Sequence, residues 1–169
     1  MRLTYRLALT GLPLAAAAPA GAQTLDLTVT IPRMAVAEYH APYVAVWLEK
    51  AGAPARTLSV WYDLDNKENG GKKWLTDVRT WWRASGRALT LPANGVSGAT
   101  RPPGTHKLSF SRAQLGAITP GQYTLVIEAA REVGGREVVR LPFAWPASPG
   151  GRVTASGKAE LGAATLSFR

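Results

Sequence analysis

Apolar residues recur at every second position in short runs, and each run ends in a proline, a glycine or a polar turn. Only a half-buried strand repeats its side chains with a period of two, so this pattern demands sheets. Leu25, Leu27, Val29 and Ile31 form the first run, which Pro32 ends. From Tyr43 to Lys50, Val44, Val46 and Leu48 share one face, and Tyr43, Ala45, Trp47 and Glu49 the other. Arg56 to Tyr62 places Leu58, Val60 and Tyr62 on one face. If the two apolar triplets share a core, residue 46 opposes 60 and 48 opposes 58, which sets Trp61 opposite Ala45 on the outer face, diagonal to Trp47. Thr105–Phe110, Gln122–Arg131, Arg136–Phe143 and Ala164–Phe168 continue the series. Gly134-Gly135 is expected to link two of these strands in a primed two-residue turn. Seven or eight such strands describe a β-sandwich.

One segment breaks the period. Trp74, Leu75, Val78, Trp81 and Trp82 recur at helical spacing within Lys72–Ala84, where Lys73 and Asp77 stand four apart and Ser85-Gly86 supplies a stop. A short helix here would cover the outer face of the strand pair and bury Trp47 and Trp61.

The N-terminus carries Arg2 and Arg6, an apolar run from Leu7 to Ala20 and the small-residue triplet Ala20-Gly21-Ala22, the pattern of a secretory leader cleaved after Ala22. Residues 1–22 are then expected to form a signal peptide and 23–169 a single domain exported to an extracytoplasmic space. Removing the leader takes away two arginines and no acid, so the net charge falls from +9 to +7. No later apolar run is long enough to span a bilayer. The basic residues are scattered, which fits an acidic partner or an anionic membrane surface and not a nucleic-acid stripe. Cysteine is absent, excluding disulfides, thiolate metal sites and a cysteine nucleophile.

Chemistry-bearing motifs are few. His40 and His106 are the only histidines, and a shared metal site would need them to converge with Asp63, Asp65 or Glu68. Asp63-x-Asp65-x-Lys67 departs from a calcium loop, because Lys67 stands where an oxygen ligand belongs. Ser97-Gly98-Ala99 is not a nucleophile elbow, and no phosphate-binding loop precedes a helix, so no enzymatic activity is expected. Tyr39, Trp61, Trp74, Trp81 and Trp82 fit either a core or a stacking surface; Arg79 and Arg83 lie beside the last three and could hold an anionic group.

Successive blocks resemble one family. Tyr43–Glu49, Arg56-Thr57-Leu58 with Trp61, Lys73-Trp74-Leu75 through Trp81-Trp82-Arg83, Ser97–Gly104, Pro120–Leu125, Glu128–Glu132 and Glu160–Ala163 are similar to the periplasmic proteins of domain-of-unknown-function family 2271. The resemblance implies a small exported β domain serving a membrane or periplasmic protein partner, within a metal-, haem- or flavin-containing system. Pro120-Gly121-Gln122-Tyr123-Thr124 also resembles the immunoglobulin-like module of flagellar hook-capping proteins, although Ser109–Arg112 lacks that module's Trp-Asp-Gly turn. In the Ser97–Gly104 block, prolines stiffen the chain and Arg101 offers a forked donor, which suits either a crossover between sheets or a recognition loop. The expected molecule is an immunoglobulin-like sandwich with a Trp-rich helical insertion. It would act as an accessory or binding protein through Arg101, Trp74, Arg79, Trp81 and Arg83. The alternatives are a metal or haem module using His40 and His106, and a glycan module using exposed tryptophans; no particular cofactor is specified.

Overall fold

The computed structural model describes residues 24–65 and 70–169. The leader, its cleavage site, Lys67 and Glu68 lie outside the described residues. Nine strands build two sheets among them. One is ordered β5 (Gly104–Phe110), β1 (Leu25–Ile31), β9 (Ala163–Phe168), β8 (Arg152–Ser156). The other is ordered β4 (Ser97–Ala99), β3 (Arg56–Tyr62), β2 (Tyr43–Glu49), β6 (Gly121–Ala130), β7 (Arg136–Trp145). β1 pairs with β5 while β2 pairs with β6 and β6 with β7, the pairings of an immunoglobulin fold; the last strand, β9, flanks β1. Tyr123, near the start of β6, donates its hydroxyl to the Thr119 carbonyl at 2.9 Å and accepts from the Thr119 N–H at 3.2 Å. That is the tyrosine corner of such sandwiches.

The apolar alternation does what the sequence requires. Leu25, Leu27, Val29 and Ile31 face Tyr123, Leu125, Ile127 and Ala129 across one continuous inter-sheet core. The β2–β3 register differs from expectation. Val44 opposes Trp61, Val46 opposes Ser59 and Trp47 opposes Thr57, so Leu58 is an extra residue in a β-bulge. The bulge reverses the alternation of β3: Leu58 and Trp61 both enter the inter-sheet core, whereas Val60 and Tyr62 turn to the outer face with Ala45 and Trp47. Trp61 is therefore an inner residue, its indole N–H bonded to Ser59 Oγ at 3.0 Å.

The insertion covers the outer face, but not as one helix. A turn of helix, α1 (Gly70–Lys73), runs into a 3-10 turn at Trp74–Asp77; the chain leaves helical geometry at Val78 (ψ 67°) and resumes as α2 (Arg79–Ala84). This break lets Leu75, Val78 and Trp81 all descend onto Trp47, Val60 and Tyr62 in a second core. Trp47 is buried there as expected, and Trp61 is not. Lys73 and Asp77 form no ion pair among the described residues; the Lys73 ammonium lies 5.3 Å from the Trp74 ring centroid instead. The insertion also approaches β3 closely, since a Cβ on Gly71 would stand 1.8 Å from the Asp63 carbonyl oxygen.

The Ser97–Gly104 block is the crossover between the sheets: β4 lies parallel to β3, and β5 starts in the opposite sheet. β4 and β8 are the strands that the apolar pattern did not reveal. A third short helix, α3 (Arg112–Leu115), is closed by a capping box between Ser111 and Gln114.

Candidate functional site

Strand pairing places five connections at one end of the sandwich. Ile31 opposes Gly104, Tyr43 opposes Ala130, Tyr62 opposes Ala99, Ala130 opposes Arg136 and Ser156 opposes Ala163. The β1–β2 connection, Asp63, the Arg101 crossover, the β6–β7 hairpin and the β8–β9 connection thus share this hairpin end. In immunoglobulin variable domains, the equivalent of the first and fourth carry the recognition loops.

A cleft of about 560 Å³ opens here, between His40, Tyr43 and Asp63 on one side, Trp74, Asp77 and Arg79 of the insertion on another, and Arg131–Arg136 of the hairpin. Its walls are held by two buried carboxylates. Glu128, fully buried on the outer face of β6, accepts the N–H groups of Thr80 and Trp81 at 3.1 and 2.8 Å and the Arg136 guanidinium at 2.6 Å. A strand residue thereby caps α2, whose own N-cap, Val78, has no side chain to do so. Glu160 grips Arg131 through two bonds of 3.0 and 3.1 Å and takes the Gly135 N–H at 2.7 Å. A buried carboxylate persists only when paired in this way.

The hairpin turn differs from expectation. Gly134 and Gly135 do not take positive φ; Val133 does, at 51°. The glycines serve close approach instead, since a Cβ would stand 2.5 Å from the Arg131 guanidinium at Gly134 and 2.8 Å from Glu160 Oε1 at Gly135. Val133 is left projecting at the tip, 86% exposed. Burial raises the Tyr43 phenol, and likewise that of Tyr39, so both stay protonated at neutral pH.

Of the sequence-predicted site residues, His40, Trp74 and Arg79 meet in the cleft. His40 lies 3.1 Å from Glu38 and 3.6 Å from Glu132. Trp81 does not belong to a contact surface: it is fully buried in the second core, its indole N–H bonded to Thr57 at 2.9 Å. Arg83 is exposed on α2, outside the cleft lining. Arg101 lies 4.2 Å over the Trp61 ring, and His106 meets the same ring edge-on at 5.7 Å while its Nε2 contacts the Pro102 carbonyl at 2.8 Å. The two histidines have no partner in common, and no group of three or more His, Asp or Glu among the described residues is placed to hold a metal ion.

Sequence reasoning missed Glu128, Glu160, Glu132 and Val133. The available signal was Glu128, an acid in the middle of the apolar run Tyr123–Ala130. Val36, Leu64, Trp74 and Val133 are the exposed large apolar side chains among the described residues, and all four sit on connections at the hairpin end or on the insertion beside it.

Fold and cleft define an immunoglobulin-like sandwich with a polar cleft among the loops of one end, where Trp74 and Val133 are exposed apolar lining residues. The chain belongs to the family described as "Predicted periplasmic protein (DUF2271)", which matches residues 24–163. No curated protein and no solved structure matches it. No helix among the described residues is long and apolar enough to cross a membrane.

Proposed function

We propose that this is an exported binding protein, released by cleavage after Ala22, that works by holding a polypeptide partner at its hairpin end and catalyses nothing. The observation that carries this reading is that Val36, Leu64, Trp74 and Val133, the exposed large apolar side chains among the described residues, all lie on connections of the hairpin end or on the insertion beside it, Trp74 and Val133 in the cleft lining. Exposed apolar side chains grouped at one end of a domain favour an interaction site there. Trp74 and Arg79 remain contact residues in this reading, and Trp81, Arg83 and Arg101 give up that role to the hairpin. The glycan reading narrows to Trp74. Service to a membrane redox or metal- and haem-uptake system is the form of the proposal that the family resemblance implies.

The test is site-specific photo-crosslinking in cells, with a photoreactive amino acid in place of Val133 and, as control, in place of Ala113 at the opposite end. A discrete adduct with an envelope protein from position 133 alone is expected. Equal adducts from both positions, or none from 133, would refute the reading.

A further inference from the structure

We propose, resting on the binding role above, that the partner presents an extended segment in which a lysine or arginine is flanked by apolar residues. The cation would enter the cleft and the apolar neighbours would lie on the rim.

Charge selects this occupant. The cleft is lined by three guanidinium groups, but Arg131 is neutralised by Glu160 and Arg136 by Glu128. Arg79 remains against the carboxylates of Asp63, Asp77 and Glu132, with the His40 ring 3.6 Å from Glu132 and the Lys73 ammonium beside Trp74. Among the described residues Asp77 has no ion-pair partner, and the Asp63 carboxylate accepts only the Asp65 N–H, at 3.2 Å. The cleft is thus locally acidic on a chain whose formal charge is +9. A wholly apolar occupant would strip water from these carboxylates without replacing it, which is strongly unfavourable. An anionic bilayer would meet like charge. A partner that brings its own cation avoids both penalties.

The aromatic wall favours the same chemistry. Trp74 holds the Lys73 ammonium at 5.3 Å, so its ring already makes one cation contact, which an incoming cation would share or displace. A free metal ion lacks the ligand group described above. A small amine would fill the cleft yet leave Val36 and Leu64, which are exposed but not part of its lining, in water. Only an occupant that runs beyond the cleft covers them.

The experiment uses the whole exported chain and two capped nonapeptides of alanine and leucine, one with a central lysine and the other with a central glutamate. Binding is followed by NMR at the Trp74 indole N–H and the Val133 amide. The lysine peptide is expected to shift both signals saturably and to bind at least about tenfold more tightly than the glutamate peptide, a preference that added salt weakens. Asp63→Asn with Asp77→Asn is expected to erase that preference while the melting temperature holds. Equal binding of the two peptides, tighter binding of the glutamate peptide, or no saturable shift at Trp74 would overturn the proposal. An adduct at position 133 in cells without a lysine preference would discard the cationic partner and keep the binding role; absence of both would discard both.

Discussion

The two ends of this sandwich close in different ways. At the end opposite the hairpin, the chain satisfies itself: Tyr123 holds Thr119, Lys50 bonds Thr119 and the Pro120 carbonyl, Arg56 bonds the Leu115 carbonyl, and Ser111 with Gln114 caps α3. The hairpin end instead buries two carboxylates to brace its walls and then leaves apolar side chains and acids facing out. The opposite end has a cleft of its own, about 390 Å³ between Lys50, Arg56, Leu115 and Tyr123, but among the described residues it carries no exposed large apolar side chain. Surface left open on a braced frame is what a recognition site requires, because rigid walls limit the entropy lost on binding.

Removing the brace is the strongest way to break this difference. Glu128→Ala orphans the buried Trp81 amide and the part-buried Thr80 amide and leaves the half-exposed Arg136 guanidinium without its carboxylate, and an unsatisfied buried donor of this kind costs about 1–3 kcal/mol. Urea denaturation should show that loss, and hydrogen exchange should place it first at the Thr80 and Trp81 amides. If those amides stay protected, Glu128 is not the cap of α2. Tyr123→Phe tests the other end. It loses two hydrogen bonds and should lower stability by about 1–2 kcal/mol. Binding at the hairpin end should be unchanged; a matching loss of binding would mean that the ends are coupled.

Val133→Gly separates stability from recognition within one end. A β-branched residue at φ 51° is strained, and glycine relieves that strain at some entropic cost, so a net gain of about 0.5–1 kcal/mol is expected. The same change deletes the most exposed apolar contact of the rim. Thermal unfolding should therefore rise while crosslinking or peptide binding falls; a fall in both would make Val133 a packing residue.

The layers of the fold were legible because alternation is a local property: Leu25–Ile31 and Tyr123–Ala129 each declare a buried face without knowledge of any partner. Trp61 was misread because one extra residue, Leu58, inverts everything after it, and nothing in Arg56–Tyr62 marks a bulge. The insertion shows the same limit. Trp74–Trp82 is periodic enough to read as a helix, yet its break at Val78 depends on Glu128, distant in sequence, taking the amides of Thr80 and Trp81. In the site, Trp74, Arg79 and His40 were visible as residue types. Glu160 and Val133 were not, because a buried ion pair and a backbone torsion exist only once the strands are paired.

Acid sharpens the comparison with the smallest effect, since one depressed carboxylate lies at each end. Glu137, at the hairpin end, is raised by burial but lowered further by backbone N–H donors of the β8–β9 connection, those of Lys158, Ala159 and Leu161 lying at 2.6–3.0 Å; the net result is below its ordinary value of 4.5. Asp26, at the other end, is lowered chiefly by its hydrogen bond to Arg169. A carboxylate depressed in the fold binds protons more weakly there than in the unfolded chain. Its stabilisation is therefore complete above the unfolded value and disappears as pH falls through the folded one. Melting temperature should thus decline below about pH 4.5, and Glu137→Gln and Asp26→Asn should each flatten part of the decline. Salt divides the two contributions. Arg169 is an exposed partner and its attraction is screened, whereas the N–H donors around Glu137 are fixed dipoles at contact distance. At high ionic strength the Asp26→Asn difference should shrink and the Glu137→Gln difference persist; the reverse order would mean that the β8–β9 connection does not hold Glu137 in solution.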